Sequence, residues 1–367
     1  MKYLSLFSGI GGFELGIQQA YENLSKTART QQGGLSHNST DLEQQRLAPE
    51  QPTCIGFSEI DKYATAVYQY HFPEHKNYGD ITKIDEKTLP DFELLVGGFP
   101  CQSFSIAGKR AGFDDTRGTL FFEIARIVRE KQPRLLLLEN VKGLLSHDQG
   151  STFRTIITTL DELGYDCQWQ VLNSKNHGVP QNRERVFIVG HLRGTPRPEV
   201  FPFGKDDQIS DREDESKQRR TQAEISHTIR GSNIKADQVF VKVPEATKKG
   251  YAIAHEGDSI NLSVPNSKTR RGRVGKNIAQ TLDTGMQQHT LTSDMKIRRL
   301  TPLECERLQG FPDGWTEYGG NKKAENIIFK NPEHVTAFDK ISDTQRYKMC
   351  GNAVTVNVIR DIFEKLL

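Results

Sequence analysis

The stretch "GGFPCQSFS", Gly97 to Ser105, sets one thiol after a proline and among glycines and serines. A structural cysteine more often sits among apolar neighbours as a small hydrophobe. Cys101 therefore reads as a nucleophile. The thiolate is the reactive form, and a loop at a helix N-terminus or near arginine lowers the thiol's pKa. Glu139 follows four leucines in "RLLLLEN". Partial burial there raises a carboxyl's pKa and favours a form able to donate a proton. "QNRERVF" sets Arg183 and Arg185 two residues apart, so on an extended segment they face one side. Together they can grip an anionic or carbonyl-bearing ligand. Taken singly, Glu139 reads as a helix cap or ion-pair partner, and the arginines as a surface salt-bridge cluster. A cysteine and a carboxylic acid at neighbouring strand ends form the more telling pair.

A second cluster, Phe7-Ser8-Gly9-Ile10-Gly11-Gly12, allows close backbone approach to a ligand and frees amides at a helix N-terminus. It fails the dinucleotide fingerprint: counting from Gly9, the sixth residue is Glu14, which would oppose a pyrophosphate. The Gly-Lys-Ser/Thr of a phosphate loop is also missing. Glu59, at the end of the next apolar run, is an acid suited to both hydroxyls of a ribose. A cofactor with a ribose and no pyrophosphate points to S-adenosylmethionine.

These residues need elements to position them. "YLSLF", "TCIGFSE", "FELLVGG", "RLLLLEN", "DCQWQVLN" and "RVFIVGHL" read as strands. Between them, "GGFELGIQQAYENL", "KYATAVYQYHF", "LFFEIARIVREKQ" and "TFRTIITTLDELG" read as helices. The alternation predicts an α/β domain with a mostly parallel sheet. In such a sheet, ligands gather at the carboxyl ends of the strands, where the glycine cluster, Glu59, Asp80, Cys101 and Glu139 all fall. Residues 25–52 are rich in Gln, Ser, Thr and Gly and read as an exposed, mobile insertion. From 193 to 299 the helical period disappears and short apolar runs alternate with turns, which predicts a smaller β-rich or irregular domain. Beyond it, "TPLECERLQGF" predicts a helix with Thr301 as N-cap and Glu304 closing a capping box. "GNAVTVNVIRDIFEKLL" predicts one closing helix that can return to the first domain.

Net charge is only +2, yet residues 193–299 hold 20 Lys+Arg against 14 Asp+Glu. A basic sub-region on an otherwise acidic body suggests a polyanion partner. The five cysteines show no CxxC spacing, which argues for a reducing compartment and against a disulfide framework or a zinc ribbon. "HFPEH" (His71, His75) lacks further ligand types nearby and reads as two turn histidines rather than a metal site. No apolar run is long enough to predict a membrane span, and the N-terminus reads as a strand and turn, not a signal peptide.

Together these motifs resemble the DNA (cytosine-5) methyltransferases. The resemblance runs in family order through "LFSGIGGFELG", "FSEID", "YGDIT", "GGFPCQSFSIAGKRAGFDDTRGTLFF", "LLLENVKG", "QNRERVFIVG", "RRLTPLECERLQGFPD" and "GNAVTVNVI". It covers most of 1–192 and 298–367 and looks like the prokaryotic restriction–modification type. It implies an α/β fold: an S-adenosylmethionine-dependent methyltransferase (Rossmann-like) sheet with helices on both faces, plus a smaller irregular β-rich target-recognition domain. The catalytic and cofactor-binding domain would be 1–192 and 300–367, and the target-recognition domain 193–299. A cytosine would be flipped from duplex DNA and attacked at C6 by Cys101. Glu139 would bind the exocyclic amine and N3, Arg185 the cytosine O2, and Arg183 would support the site. Phe7, Ser8, Gly9, Ile10, Gly11 and Gly12 match the first cofactor motif, Glu59 the ribose acid, and Asp80 with Ile81 the adenine contacts. Ile60 stands where some relatives carry an adenine-stacking aromatic. Pro100, Leu120, Asn352, Ala353 and Val354 match further pocket positions.

Arg117 falls in the segment that resembles a loop closing over DNA. Arg270, Arg271, Arg273, Lys276, Gln287 and Gln288 are candidate DNA contacts, since Arg suits guanine and Gln adenine; exposed turn residues are the equal alternative for each. Thr281, with Leu282, resembles a Thr-Leu step near the flipped nucleotide. The expected partner is double-stranded DNA, bound by a monomer with no metal and no membrane. A cognate restriction endonuclease is expected as a genetic partner, and a cytoplasmic, nucleoid-associated location. A tRNA cytosine-5 methyltransferase and a non-catalytic DNA-binding relative remain as rivals. Deleting the 25–52 insertion is expected to leave methyl transfer intact.

Overall fold

The computed structural model describes residues 1–32, 50–100, 120–203, 240–263, 267, 269, 271–285, 287–294, 296–320 and 338–367. Strands β1 (Lys2–Leu6), β2 (Thr53–Ser58), β3 (Leu94–Gly98), β4 (Leu135–Val141), β5 (Tyr165–Asn173) and β7 (Glu184–Leu192) form one six-stranded sheet in the order β2-β1-β3-β4-β7-β5. The first four are parallel. Strand β7 runs antiparallel to both β4 and β5.

The four leucines of β4 show why the strands are so apolar. Leu135 and Leu137 pack with Phe13 and Ile17 of α1 (Gly12–Gln32) and with Ile359 and Phe363 of the last helix. Leu136 and Leu138 turn to the other face. There they meet Ile124 and Val128 of α3 (Leu120–Lys131) and Ile156 of α4 (Ser151–Glu162). A strand with helices on both faces has no wet side, so alternation gives way to a continuous apolar run. Helix α2 (Lys62–His71) belongs to a third cluster, with Ala64 and Val67 against Phe311, Trp315 and Met349.

The short strand β6 (Gln181–Asn182) leads into β7. Strands β8 (Val241–Pro244) and β9 (Tyr251–Ala254) pair as a ribbon. Strands β10 (Ser259–Asn261), β11 (Val274–Gly275), β13 (Gln288–Leu291) and β14 (Ile297–Arg299) form an antiparallel sheet in the order β11-β10-β13-β14. Val243 and Ala254 of the ribbon and Ile260 and Leu291 of the sheet make one small core. Strand β12 (Ala279–Gln280) instead pairs with β6.

Two expectations change. Helix α1 runs on to Gln32, so the first part of the expected insertion is helix, with Ser25 buried. "SKTARTQQ" suits a helix but has no apolar stripe to reveal it. The closing helix is two: α6 (Asp343–Asn352) and α7 (Val356–Leu366), parted at Ala353, whose ψ is 151°. Carbonyls freed at that break are caught by buried side chains, described below. Packing also crosses the edges of the 193–299 region. Phe201 and Phe203 join the core beside α7, and Ala279 and Leu282 join Leu308 and Tyr347. Helix α5 (Pro302–Leu308) begins as expected, with the Thr301–Glu304 capping box present.

Candidate active site

The antiparallel direction of β7 decides the chemistry of the sheet edge. Its first residues lie beside the carboxyl end of β4, with Arg185 opposite Val141. From there Arg185 reaches back to Glu139, Nε to Oε1 at 3.0 Å. The Glu139 side chain is 13% exposed. Burial pushes its carboxyl pKa up, and the positive charges of Arg185 and Arg183 partly oppose that rise. Across the β3–β4 register Glu139 faces Gly98, where an added Cβ would stand 3.0 Å from Oε2. A side chain there would press on the carboxylate.

Asn140, next along, is buried. Its Nδ2 donates to the Phe99 carbonyl at 2.8 Å, and its Oδ1 accepts from the Val141 amide at 2.8 Å. It thereby fixes the chain leaving β3 two residues before Cys101. Cys101 and Arg117 lie outside the described residues, as does Arg270. Pro100 is exposed at the end of β3, and Leu120, half-buried, opens α3.

Arg183 and Arg185 divide their work. Arg183 is buried and donates to three carbonyls: Leu282 at 3.1 Å, Gly351 at 3.1 Å and Ala353 at 2.8 Å. It lies near enough to Glu139 to influence its charge, but spends its hydrogen bonds on backbone. Arg185 alone forms the ion pair with Glu139.

The other half of the edge is built around the glycine loop. Phe7 and Gly9 have φ of 54° and 55°, a turn that favours glycine. The Gly9 amide donates to Glu59 Oε2 at 2.9 Å, and the Ile60 and Asp61 amides donate to Oε1 at 2.9 and 2.8 Å. Three amides thus hold the half-buried Glu59 carboxylate at the end of β2. A Cβ added at Gly9 or at Gly79 would meet nothing within 4 Å, so both glycines border open space. Ile60, 76% exposed, offers an apolar surface beside Glu59. Asp80 accepts from the Thr82 hydroxyl and amide, which lowers its pKa.

Several matched residues can serve a ligand only through their backbone or by shape. Ile10 and Ile81 are buried in the core, and Ser8 donates its hydroxyl to the Ser5 carbonyl. Ala353 is buried too, while Asn352 is exposed. Val354 lies against Gly12, where an added Cβ would approach its Cγ1 to 2.8 Å. Gly11 is likewise closed over, by Phe72. The last motif of the chain and the first are therefore in contact.

Of the candidate DNA contacts, Arg271 and Gln287 are exposed. Lys276 is exposed and ion-paired to Asp258 at 2.6 Å. The Thr281 hydroxyl donates to the Asn182 carbonyl at 2.8 Å, which holds the Thr-Leu step against β6. Arg273 and Gln288 are buried, with the Arg273 amide on Glu245 and Gln288 Nε2 on the Thr281 carbonyl. Alternation in short strands is too brief to mark which face is inside. His71 stacks on Trp315 and His75 bonds to Tyr68; among the described residues no cluster suited to a metal occurs. Sequence reasoning missed Asn140, Gln181 and Gln309, because their partners are remote in the chain.

A mixed α/β sheet, parallel in its first four strands, thus carries the glycine turn, the amide-held Glu59 and the Glu139–Arg185 pair along one edge. The model of the family described as C-5 cytosine-specific DNA methylase matches residues 1–330, and the chain belongs to that family. It is 37% identical over 382 residues to the Type II methyltransferase M1.ScrFI of Lactococcus lactis subsp. cremoris, covering 100% of this chain and 78% of that protein. It is 32% identical over 379 residues to the Type II methyltransferase M.HhaI of Haemophilus parahaemolyticus, covering 99% of this chain and 93% of that protein. Among solved structures, the S. pombe Dnmt2 methyltransferase shares the fold with a TM-score of 0.58 at 18% identity, covering 100% of this chain and 98% of that one. The protein is a DNA (cytosine-5) methyltransferase, and its family uses S-adenosylmethionine.

Proposed function

We propose that this chain methylates C5 of a flipped-out cytosine within a short specific sequence of double-stranded DNA, through a covalent bond from Cys101 to C6. The observation that carries this reading is the Glu139–Arg185 pair at 3.0 Å. It lies across from Gly98, on the strand that leads to Cys101. Arg185 holds the carboxyl and offers a donor for the cytosine O2. Glu139, whose pKa burial raises, donates to N3 and accepts from the exocyclic amine. These hydrogen bonds draw electron density away from C6 towards N3 and open C6 to the Cys101 thiolate, and the adduct is an enamine nucleophilic at C5. C5 would then take the methyl group from S-adenosylmethionine, with S-adenosylhomocysteine as the leaving group; loss of the C5 proton to a general base restores the C5–C6 double bond and expels the Cys101 thiolate.

Open space over Gly9 and Gly79, the amide-held Glu59 and exposed Ile60 support a nucleoside-bearing cofactor at this edge. S-adenosylmethionine would supply the electrophilic methyl group. Glu59 would take the ribose hydroxyls, Asp80 and the Ile81 backbone the adenine edge, Ile60 an adenine face. Phe7 to Gly12, Pro100, Leu120 and Asn352 to Val354 would wall the pocket. Residues 1–192 and 300–367 form the catalytic body and 193–299 the target-recognition domain, anchored through Phe201, Phe203 and Leu282. Arg271, Lys276, Thr281 and Gln287 are its candidate DNA contacts. A monomeric, cytoplasmic enzyme with a cognate endonuclease completes the proposal.

Bisulfite sequencing of a plasmid expressing the protein tests it and locates the site. Methylation at one sequence context is expected, and its loss in Cys101→Ala. Duplex DNA carrying 5-fluorocytosine at that position should accumulate a stable protein–DNA adduct, since proton loss is blocked. Normal methylation by Cys101→Ala, or no adduct, would overturn the mechanism.

A further inference from the structure

Behind the candidate active site lies a buried hydrogen-bond network that the chemistry above does not use. Its centre is Gln309, fully buried just after α5. Gln309 Nε2 donates to the Cys350 carbonyl at 2.7 Å and to the Ala353 carbonyl at 3.4 Å. Its Oε1 accepts from the Thr355 hydroxyl at 2.8 Å and from Gln181 Nε2 at 3.4 Å. Its main-chain carbonyl accepts from the Val356 amide at 2.9 Å. One residue therefore holds the α6–α7 break, 350–356, from both ends.

The same network grips the Thr281–Leu282 segment. The Leu282 amide donates to Gln181 Oε1 at 3.0 Å, and the Leu282 carbonyl accepts from Arg183 at 3.1 Å. Arg183 in turn shares the Ala353 carbonyl with Gln309. The two segments also touch directly: a Cβ at Gly351 would stand 2.6 Å from the Asp283 carbonyl carbon and oxygen. Close-packed backbone with no slack cannot move on one side alone.

We propose that Gln309 is a positioning residue that couples the loop 351–354 to the segment 281–283, so that cofactor and DNA bind cooperatively. This rests on the reading that 352–354 line the cofactor pocket and that Thr281 adjoins the flipped base. A ligand on the loop fixes its carbonyls. Gln309, Gln181 and Arg183 then fix Leu282, and the DNA meets a segment already ordered. Linkage makes the effect equal in both directions.

The test measures DNA affinity by fluorescence anisotropy with and without S-adenosylhomocysteine. The probe is a short duplex bearing the site found by bisulfite sequencing. In the unmodified protein S-adenosylhomocysteine should tighten DNA binding by about fivefold or more. In Gln309→Met, which keeps volume but loses every side-chain hydrogen bond, that ratio should fall towards one. Thr355→Val, a milder loss on the same acceptor, should lower it part-way and decides the matter if Gln309→Met does not fold. An unmodified protein with a ratio of one, or variants that keep the full ratio, would overturn the coupling. Asn352→Ala separates the two readings. If it leaves S-adenosylhomocysteine affinity unchanged, the cofactor placement itself fails and the coupling with it. If affinity drops while the Gln309→Met ratio persists, the coupling alone fails.

Discussion

At the residue scale, burial sets the chemistry of two carboxyls in different ways. Glu139 is pushed up by burial yet keeps a cation at 3.0 Å. It can therefore exchange a hydrogen bond or proton with a base without being an isolated buried charge. Glu139→Gln should lower turnover on the order of 100-fold, within the usual range for a lost acid–base group. Single-turnover methyl transfer checks this, and near-normal rates would remove Glu139 from the mechanism. Glu14 is 1% exposed, with the hydroxyls of Ser5 and Tyr68 turned to its carboxyl. Burial pushes its pKa to about 7. The folded protein then holds a proton that the unfolded chain releases near its ordinary carboxyl pKa. Stability from this group is full at low pH and is lost as pH rises towards 7. Glu14→Gln should flatten that fall, which urea denaturation at pH 5 and pH 7.5 would reveal. An unchanged slope would show that Glu14 does not hold this proton.

At the element scale, the site depends on strand direction and on one helix contact. Arg183 and Arg185 reach the ligand edge because β7 is antiparallel to β4. A spacing of two residues shows that they share a side, but not which end of the sheet they occupy. Helix α7 locks against α1 at Gly16, where an added Cβ would lie 2.6 Å from Ile359 Cβ and 3.0 Å from the Val356 carbonyl. Gly16→Ala should overpack this contact and destabilise the fold by about 1–3 kcal/mol. A lower thermal midpoint with unchanged secondary structure is the expected result; an unchanged midpoint would mean the helices can separate freely. The strands and the capping box were legible because period and capping are local patterns. The break at Ala353 was not, because it follows from hydrogen bonds to Arg183 and Gln309, remote in sequence.

At the scale of the whole molecule, the body and the basic region are joined by shared packing. Strand β12 pairs with β6, and Leu282 lies in a cluster with Leu308 and Cys350. Composition drew the boundary at a change of pattern, while packing carries both 200–203 and 279–282 into the body. The same comparison narrows the deletion experiment. Replacing 33–49 with a short Gly-Ser linker should preserve methyl transfer, whereas removing 25–32 as well takes away part of α1 and its buried Ser25. Methylation of plasmid DNA by the two variants checks this, and equal losses would place a required function in 33–49.

The sequence alone determined the reaction class, since thiol, acid, paired arginines and glycine turn stand in an ordered set of motifs. It also determined most of the sheet, because strands covered on both faces must be continuously apolar. Only the tertiary structure decided the roles within that set. Arg183 became a brace and Arg185 the partner of Glu139, Arg273 and Gln288 went inside, and the last helix broke in two. Each of these outcomes follows from where a polar group finds its partner once water is excluded, and those partners lie far away in the chain.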